Sequence, residues 1–392
     1  MTIEKLVTAV DAVLPEIRAI RHRIHRNPEL AGQEFATAGL IRETLNATAI
    51  KLLPPFLETD VVGILQGTAG AGGNVTLRAD MDALPLSEKS GVEYSSEVPN
   101  CMHACGHDGH TAILLGAALV LDQLKSEFTG SVRFVFQPGE EVVALGKELV
   151  DAGALLNPEP ELVCALHGFN GLPVGTIASK SGAMMAAAGF FTINIKGRGG
   201  HGSMPQQAIN PLSAAGRIVE ALHAIPRRFE DKQTPVVVTV CSLTGGSNGN
   251  VIPDIAVIEG TVRFLDHEVG AQIPPMIRQL AIEICDSIGA QCDIEYSLPY
   301  LPTINDATAV EYAHKVTEKY LGPTSWYELA ESSMGGEDFC YYLDKYPGVY
   351  CRLGLGDECC GLHNPSFDFN DAALHNGITF LVATVLERQG LS

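Results

Sequence analysis

The chain has 392 residues and a formal charge of −20 at pH 7, a length beyond the point at which single cores stop growing, so two domains are expected. An acidic balance of that size excludes nucleic acid and anionic membrane as natural partners, because both are bound through basic patches, and leaves a small molecule as the expected ligand. The longest apolar run, near 112–121, is too short to span a bilayer, and the first residues lack the basic-then-apolar order of a secretory leader, so a cytoplasmic location is expected.

In chain order, Leu6, Val10, Val13, Ile17, Ile20 and Ile24 recur at helical spacing and predict an amphipathic helix ending near Arg26. Strand-like apolar runs at 61–66, 74–79, 131–137 and 162–167 then alternate with helical segments at 107–125 and 147–155. Such alternation predicts an α/β fold with a mostly parallel, buried sheet. Beyond residue 180 the pattern becomes a strand at 190–196, a helix at 211–224, strands at 236–243 and 255–264, a helix at 269–288 and a strand at 292–298. That βαββαβ order belongs to ferredoxin-like domains. An inserted domain over 181–299 is therefore expected to interrupt a discontinuous one, 1–180 plus 300–392, which closes with a helix over 371–388.

The chemistry concentrates in two motifs. Cys105-Gly106-His107-Asp108-Gly109-His110-Thr111 puts a thiol and imidazoles within one turn of each other, as metal ligands require. Gln137-Pro138-Gly139-Glu140-Glu141 follows a predicted strand, so its carboxylates lie where open α/β sheets bind ligands. One carboxylate can hold metal while the other handles protons. His167 ends an apolar run, where it can be a core imidazole or a ligand, and His363 reaches the others only through closure of the fold. The ten cysteines are scattered and read as free thiols. The adjacent pair Cys359-Cys360, beside His363, is either two small loop residues or a redox-sensitive, metal-adjacent spot.

Together with Leu77-Arg78-Ala79-Asp80-Met81-Asp82-Ala83-Leu84-Pro85, Gly197-Arg198-Gly199-Gly200-His201 and Asn250-Val251-Ile252-Pro253-Asp254, these motifs resemble the aminoacylase/carboxypeptidase family of two-metal amidohydrolases. The branch resembled is that of hippurate hydrolases and indole-acetyl-amino-acid hydrolases, and the likeness runs from Asn27-Pro28-Glu29-Leu30 to Leu362-His363-Asn364-Pro365. It implies a zinc-peptidase-like catalytic domain with an inserted lid and dimerisation domain, in a homodimer or dimer-based oligomer. Two divalent ions per subunit, zinc, manganese, nickel or cobalt, are implied, with Cys105, His107, Glu141, His167 and His363 as their ligands. An unactivated amide needs a strong nucleophile at neutral pH, and a water between two such ions is one route to it. Cys105 stands where many members carry a bridging aspartate, and a thiolate favours borderline or soft metals.

By the same resemblance Glu140 is the general base and acid, and His201 polarises the scissile carbonyl from the partner subunit. Asn250 and Arg263 contact the substrate's carboxylate end, and Asp82 orients a metal ligand. His103 and His110 are expected behind the ligands or at the helix start. Asp80 stands where the wider family has a metal-binding histidine, which leaves its part open, and Glu337-Asp338 matches a motif that this branch is not expected to use for ligation. The implied function is hydrolysis of an N-acyl or N-aroyl amino acid to carboxylic acid and amino acid. Deacylation of an acylated diaminopimelate or cleavage of a dipeptide is the enzymatic alternative, and a non-catalytic metal-binding or regulatory protein the alternative of another class.

Overall fold

The computed structural model describes residues 2–141, 144–232, 235–357 and 360–390. The chain divides into two units, Met1–Met184 with Ile304–Glu331 and Asp338–Ser392, and Met185–Thr303 with Ser332–Glu337.

In the first unit the N-terminal helix runs Ile3–Arg26, where the Thr2 side chain accepts from the Lys5 N–H. Glu4 in the first turn and Arg23, His25 and Arg26 in the last complement the helix dipole. Its apolar stripe, Leu6, Val10, Val13, Ile17, Ile20 and Ile24, is buried as its spacing predicts. That stripe joins a core shared with the helices His107–Gln123 and Leu374–Gln389.

The sheet of this unit has eight strands in the order Lys51–Leu52, Val61–Gln66, Ser131–Gln137, Asn74–Asp80, Leu162–Phe169, Gly348–Gly354, Ile177–Ser179 and Trp326–Glu328. Its four middle strands, from Ser131–Gln137 to Gly348–Gly354, are mutually parallel. Antiparallel neighbours flank them. Strands Asn74–Asp80 and Ser131–Gln137 are buried at every position, as expected of a sheet covered on both faces. The parallel strands therefore release Asp80, Gln137 and Phe169 at one carboxyl edge.

The second unit is an antiparallel sheet in the order Val237–Thr244, Ile255–Phe264, Ala187–Lys196 and Gln291–Tyr300. The helices Pro211–His223 and Ile273–Asp286 pack on each other and on the sheet. Phe191, Ile193, Ile195, Ile218, Leu222, Ile258, Val262 and Ile277 give this unit a core of its own.

The helix expected over 269–288 is two helices, His267–Gly270 and Ile273–Asp286. Pro274 and Pro275 lack the N–H that an uninterrupted helix needs there and are tolerated only in a first turn. The helix expected over 147–155 runs Leu145–Asp151, and Gly153 in the left-handed region at φ +89° turns the chain away. Helices Phe35–Leu45 and Ala307–Leu321 and strand Gly348–Gly354 have no counterpart in the sequence reading. Among the described residues no cysteine forms a disulfide and no helix is long and apolar enough to cross a membrane. Cys360 is exposed, and Cys359 lies outside the described residues.

Candidate functional site

The ligand loop before helix His107–Gln123 is fixed by reciprocal backbone bonds of 3.0 Å between Leu84 and Met102. Gly106 then caps the helix in the left-handed region at φ +87°, where a Cβ would also press on Phe369 at 3.1 Å. Cys105 and His107 therefore leave the chain on either side of a forced turn. Strand Ser131–Gln137 delivers Glu140 and Glu141, and strand Leu162–Phe169 delivers His167. His363 comes from a distant loop, but its N–H donates to the Ala104 carbonyl at 2.8 Å, which ties it to the residue before Cys105.

The fold closes these residues around one point. Cys105 Sγ lies 3.4 Å from His167 Nε2, and Glu141 Oε1 lies 3.1 Å from His363 Nε2 and 3.8 Å from His107 Nε2. Ligand atoms of Cys105, His107 and His167, of Cys105, Glu141 and His363, and of His107, Glu140 and Glu141 form overlapping groups, each within 4.8 Å. His107 Nε2 is buried with no hydrogen-bond partner, which is costly unless something binds it. One thiol, one carboxylate and three imidazoles aimed at a common centre fit divalent ions of borderline softness.

The groups behind the ligands are as ordered as the ligands. Asp82 accepts from His107 Nδ1 at 3.1 Å through one oxygen and from the Glu141 N–H at 3.0 Å through the other. A single buried carboxylate thus aims two ligands. His167 Nδ1 donates to the Gly168 carbonyl at 2.8 Å, which leaves Nε2 the acceptor nitrogen facing Cys105. His110 bridges Asp80, at 2.6 Å from Nδ1, and the Gly168 N–H, which donates to Nε2 at 2.7 Å. The other Asp80 oxygen accepts from Arg78 at 2.7 Å. Asp80, His107 and His110 also lie within 4.8 Å of one another, yet both oxygens of Asp80 and both nitrogens of His110 are spent on protein partners. Asp80 therefore braces the site through Arg78 and His110. Asp338 accepts from Arg78, Gln137 and the Gly146 N–H at 2.6–2.8 Å, a bracing part of the same kind.

Sequence reasoning missed the support from the N-terminal helix. Buried Arg21 donates to Asp108 at 3.0 Å, and His25 Nδ1 lies 2.9 Å from the same oxygen. The signal was two polar residues four apart on the buried face of an amphipathic helix, with Asp108 inside the ligand motif. Buried His103, by contrast, makes no hydrogen bond to the described residues.

The electrostatics match this layout. Burial would lower the His107 pKa, but Asp80, Asp82 and Glu141 outweigh it and raise it to about 10. His167 is held well below its ordinary value by burial, then by His110 and His107, so it is the neutral form that ligates. Burial first, and then Glu141 and Glu140, push the Cys105 thiol well up. Only a cation beside it can hold it as a thiolate at neutral pH. His363 is raised through its bond to Glu141.

The remaining candidates belong to the second unit. Exposed His201 pairs with Val251 across two short antiparallel strands, and the Gly202 N–H donates to the Asn250 carbonyl at 2.8 Å, so His201 and Asn250 share one two-stranded ribbon. His201 Nδ1 accepts from the Ser203 N–H at 3.1 Å, so the neutral ring carries its proton on Nε2, the form that donates outward. Arg263 is half-buried, bonds to the Val262 carbonyl and the Thr261 hydroxyl, and lies over the Phe190 ring at 5.5 Å. Strand Ile255–Phe264 starts just after that ribbon and carries Arg263 near its other end, about 26 Å from its first residue at the usual strand rise. Within one chain, Arg263 is not brought to His201 and Asn250.

The model of peptidase family M20/M25/M40 matches residues 76–387. An N-acetylcysteine deacetylase of Bacillus subtilis is 38% identical over 91% of this chain and 92% of its own length. An IAA-amino acid hydrolase (ILR1-like 4) of Arabidopsis thaliana is 38% identical over 91% of this chain and 82% of its own. Among solved structures, the YXEP protein of Bacillus subtilis, a dinuclear metal binding peptidase of the M20 family, superposes with a TM-score of 0.84 at 34% identity, covering 96% of this chain and 98% of that one.

Proposed function

The chain belongs to peptidase family M20/M25/M40, and from that premise we propose that it hydrolyses the amide bond of hippurate-like N-acyl and N-aroyl amino acids. Two of its relatives, an N-acetylcysteine deacetylase and an IAA-amino acid hydrolase, are named for hydrolysis of N-acyl amino acids. The observation that carries the reading is the convergence of Cys105, His107, Glu141, His167 and His363 with Glu140 beside them.

Those five residues would hold a pair of divalent ions. When bound, the ions supply Lewis acidity, which polarises a carbonyl and makes water acidic enough to attack near neutral pH. Glu140 takes the proton of the attacking water and passes it to the leaving amine nitrogen, so one carboxylate serves as base and then acid. His201 donates from Nε2–H to the carbonyl oxygen as it gains negative charge. Asn250 and Arg263 hold the substrate carboxylate, Arg263 through a charge-assisted bond. The separation between the His201 ribbon and Arg263 supports a homodimer, since both can meet one substrate only if two copies contribute.

The test is steady-state hydrolysis of hippurate, N-acetyl amino acids, an N-acylated diaminopimelate and dipeptides by protein loaded with zinc or manganese. Hippurate and N-acetyl amino acids should show the higher kcat/KM. A preference of tenfold or more for dipeptides or the diaminopimelate derivative would overturn the assignment, and no turnover of any of them by fully metallated protein would overturn the hydrolase reading.

A further inference from the structure

Half-buried Arg352 differs from the deeply buried guanidinium groups of the first unit, Arg21, Arg78 and Arg133. Arg21 is neutralised by Asp108, Asp368 and Asp371, Arg78 by Asp80 and Asp338, and Arg133 donates to the carbonyls of Leu155, Leu156 and Pro158. The Arg352 side chain has no hydrogen bond or ion pair with any described residue, and partial burial pulls its pKa below the ordinary value. What holds it is a ring, since its guanidinium lies over Phe169 at 3.8 Å from the centroid. Stacking of this kind keeps the fork flat and in place without using any of its five N–H donors.

The register puts this fork beside the metal-ligand set. Strand Gly348–Gly354 runs parallel to Leu162–Phe169 with Arg352 as the direct partner of His167, at the usual spacing of about 5 Å. Val349, Cys351 and Leu353 face the main core together with Cys164 and Leu166. By alternation Tyr350 and Arg352 share the opposite face with His167 and Phe169, and the Tyr350 ring lies 6.2 Å from that of His167. A half-buried cation that is held flat by a ring and has unspent donors presents a preformed fork for a carboxylate. An anion arriving with the substrate would take up that fork in a charge-assisted, bidentate bond.

We propose that Arg352 is a specificity-determining residue that binds a second carboxylate of the substrate, additional to the α-carboxylate, so that the preferred substrates are dianionic N-acyl amino acids. The inference rests on the reading of the chain as an N-acyl amino acid hydrolase. Two sources supply that carboxylate: the side chain of an acidic amino acid, or the far end of a dicarboxylic acyl group.

The experiment compares wild type, Arg352→Met and Arg352→Lys, all metal-loaded, on N-benzoylglycine, N-benzoylglutamate and N-succinylglycine. Wild type should favour one of the two dianions over N-benzoylglycine, and which one identifies the source. Arg352→Met should lower that dianion-to-monoanion selectivity tenfold or more, through KM with little change in kcat, because the lost contact is made equally in ground and transition states. Arg352→Lys should recover part of it. Equal losses on all three substrates would reveal a merely structural role and overturn the proposal, as would selectivity unchanged by Arg352→Met. Calorimetric binding of glutarate gives a readout independent of turnover: affinity should fall at least tenfold in Arg352→Met, and equal affinity would overturn the proposal. If wild type cleaves none of the substrates the hydrolase reading fails, while the glutarate comparison still decides the anion site.

Discussion

Replacing Asp82 by Ala removes, in one step, the acceptor for His107 Nδ1 and the acceptor for the Glu141 N–H. The carboxylate is 1% exposed, so water does not readily take over either bond. Loss of one such orienting partner typically weakens metal binding about 10–100-fold, or roughly 1.4–2.7 kcal/mol. Since Asp82 serves two ligands, the upper end of that range is expected. Asp82→Asn keeps an acceptor for His107 but sets an amide N–H₂ against the Glu141 N–H, and should fall between wild type and Asp82→Ala. The assay is competition for zinc against a chelator of known affinity, with kcat measured at saturating metal. Activity should return substantially once metal saturates, because Asp82 acts through the ligands. An affinity within twofold of wild type in Asp82→Ala would refute the idea that this carboxylate aims His107 and Glu141.

Further outcomes follow from other contacts. Cys105→Ser should weaken zinc binding more than manganese binding, since it exchanges a soft ligand for a hard one; an unchanged metal order in the same competition assay would count against thiolate ligation. Burial opposes the charge of His25, but Asp108 and then Glu88 raise its pKa from 6.5 to about 9, so folding favours the protonated ring. That stabilisation, on the order of 3 kcal/mol, should be complete below about pH 6.5 and lost as pH rises through 9. Urea unfolding across pH 6–9.5 should therefore show a decline that His25→Gln flattens, and identical pH slopes would contradict the clamp. If two copies share each site, inactive Glu140→Ala and His201→Ala proteins should regain activity when mixed, up to about a quarter of wild type for random exchange with one intact site per hybrid. No recovery despite proven exchange would assign His201 to its own chain's site or to no catalytic role.

The ligand motif was legible because the chemistry is local. Cys105 and His107 flank a glycine that must adopt positive φ, and the Glu140-Glu141 pair follows a strand whose apolar run announces it. The parallel sheet of the first unit was legible for the same reason. The support for the site was not. Arg21 and His25 meet Asp108 across more than 80 residues of chain, and Arg78 meets Asp338 across 260, so no window of sequence contains both partners. Helix Phe35–Leu45 escaped notice because it has no side-chain cap and includes Gly39, so propensity and boundary signals are both weak. Helix Ala307–Leu321 did carry a signal, since Asp306 caps it by accepting from the Ala309 N–H. Strand Gly348–Gly354 begins and ends in glycine and carries Arg352 in a run otherwise fit for the core, which hides a buried middle strand. What Arg352 faces became visible only through its pairing with His167.

The central claim is tested most directly by titrating metal-stripped protein with zinc or manganese while following hippurate hydrolysis and bound metal together, in wild type and in Glu140→Gln. Wild type should be inert without metal and reach full activity as the sites fill. Glu140→Gln should take up the same metal yet turn over at least about 10²-fold more slowly, because it loses the proton carrier and keeps the ligands. Full turnover in metal-free wild type, or loss of metal in Glu140→Gln equal to that in Glu141→Gln, would contradict the account.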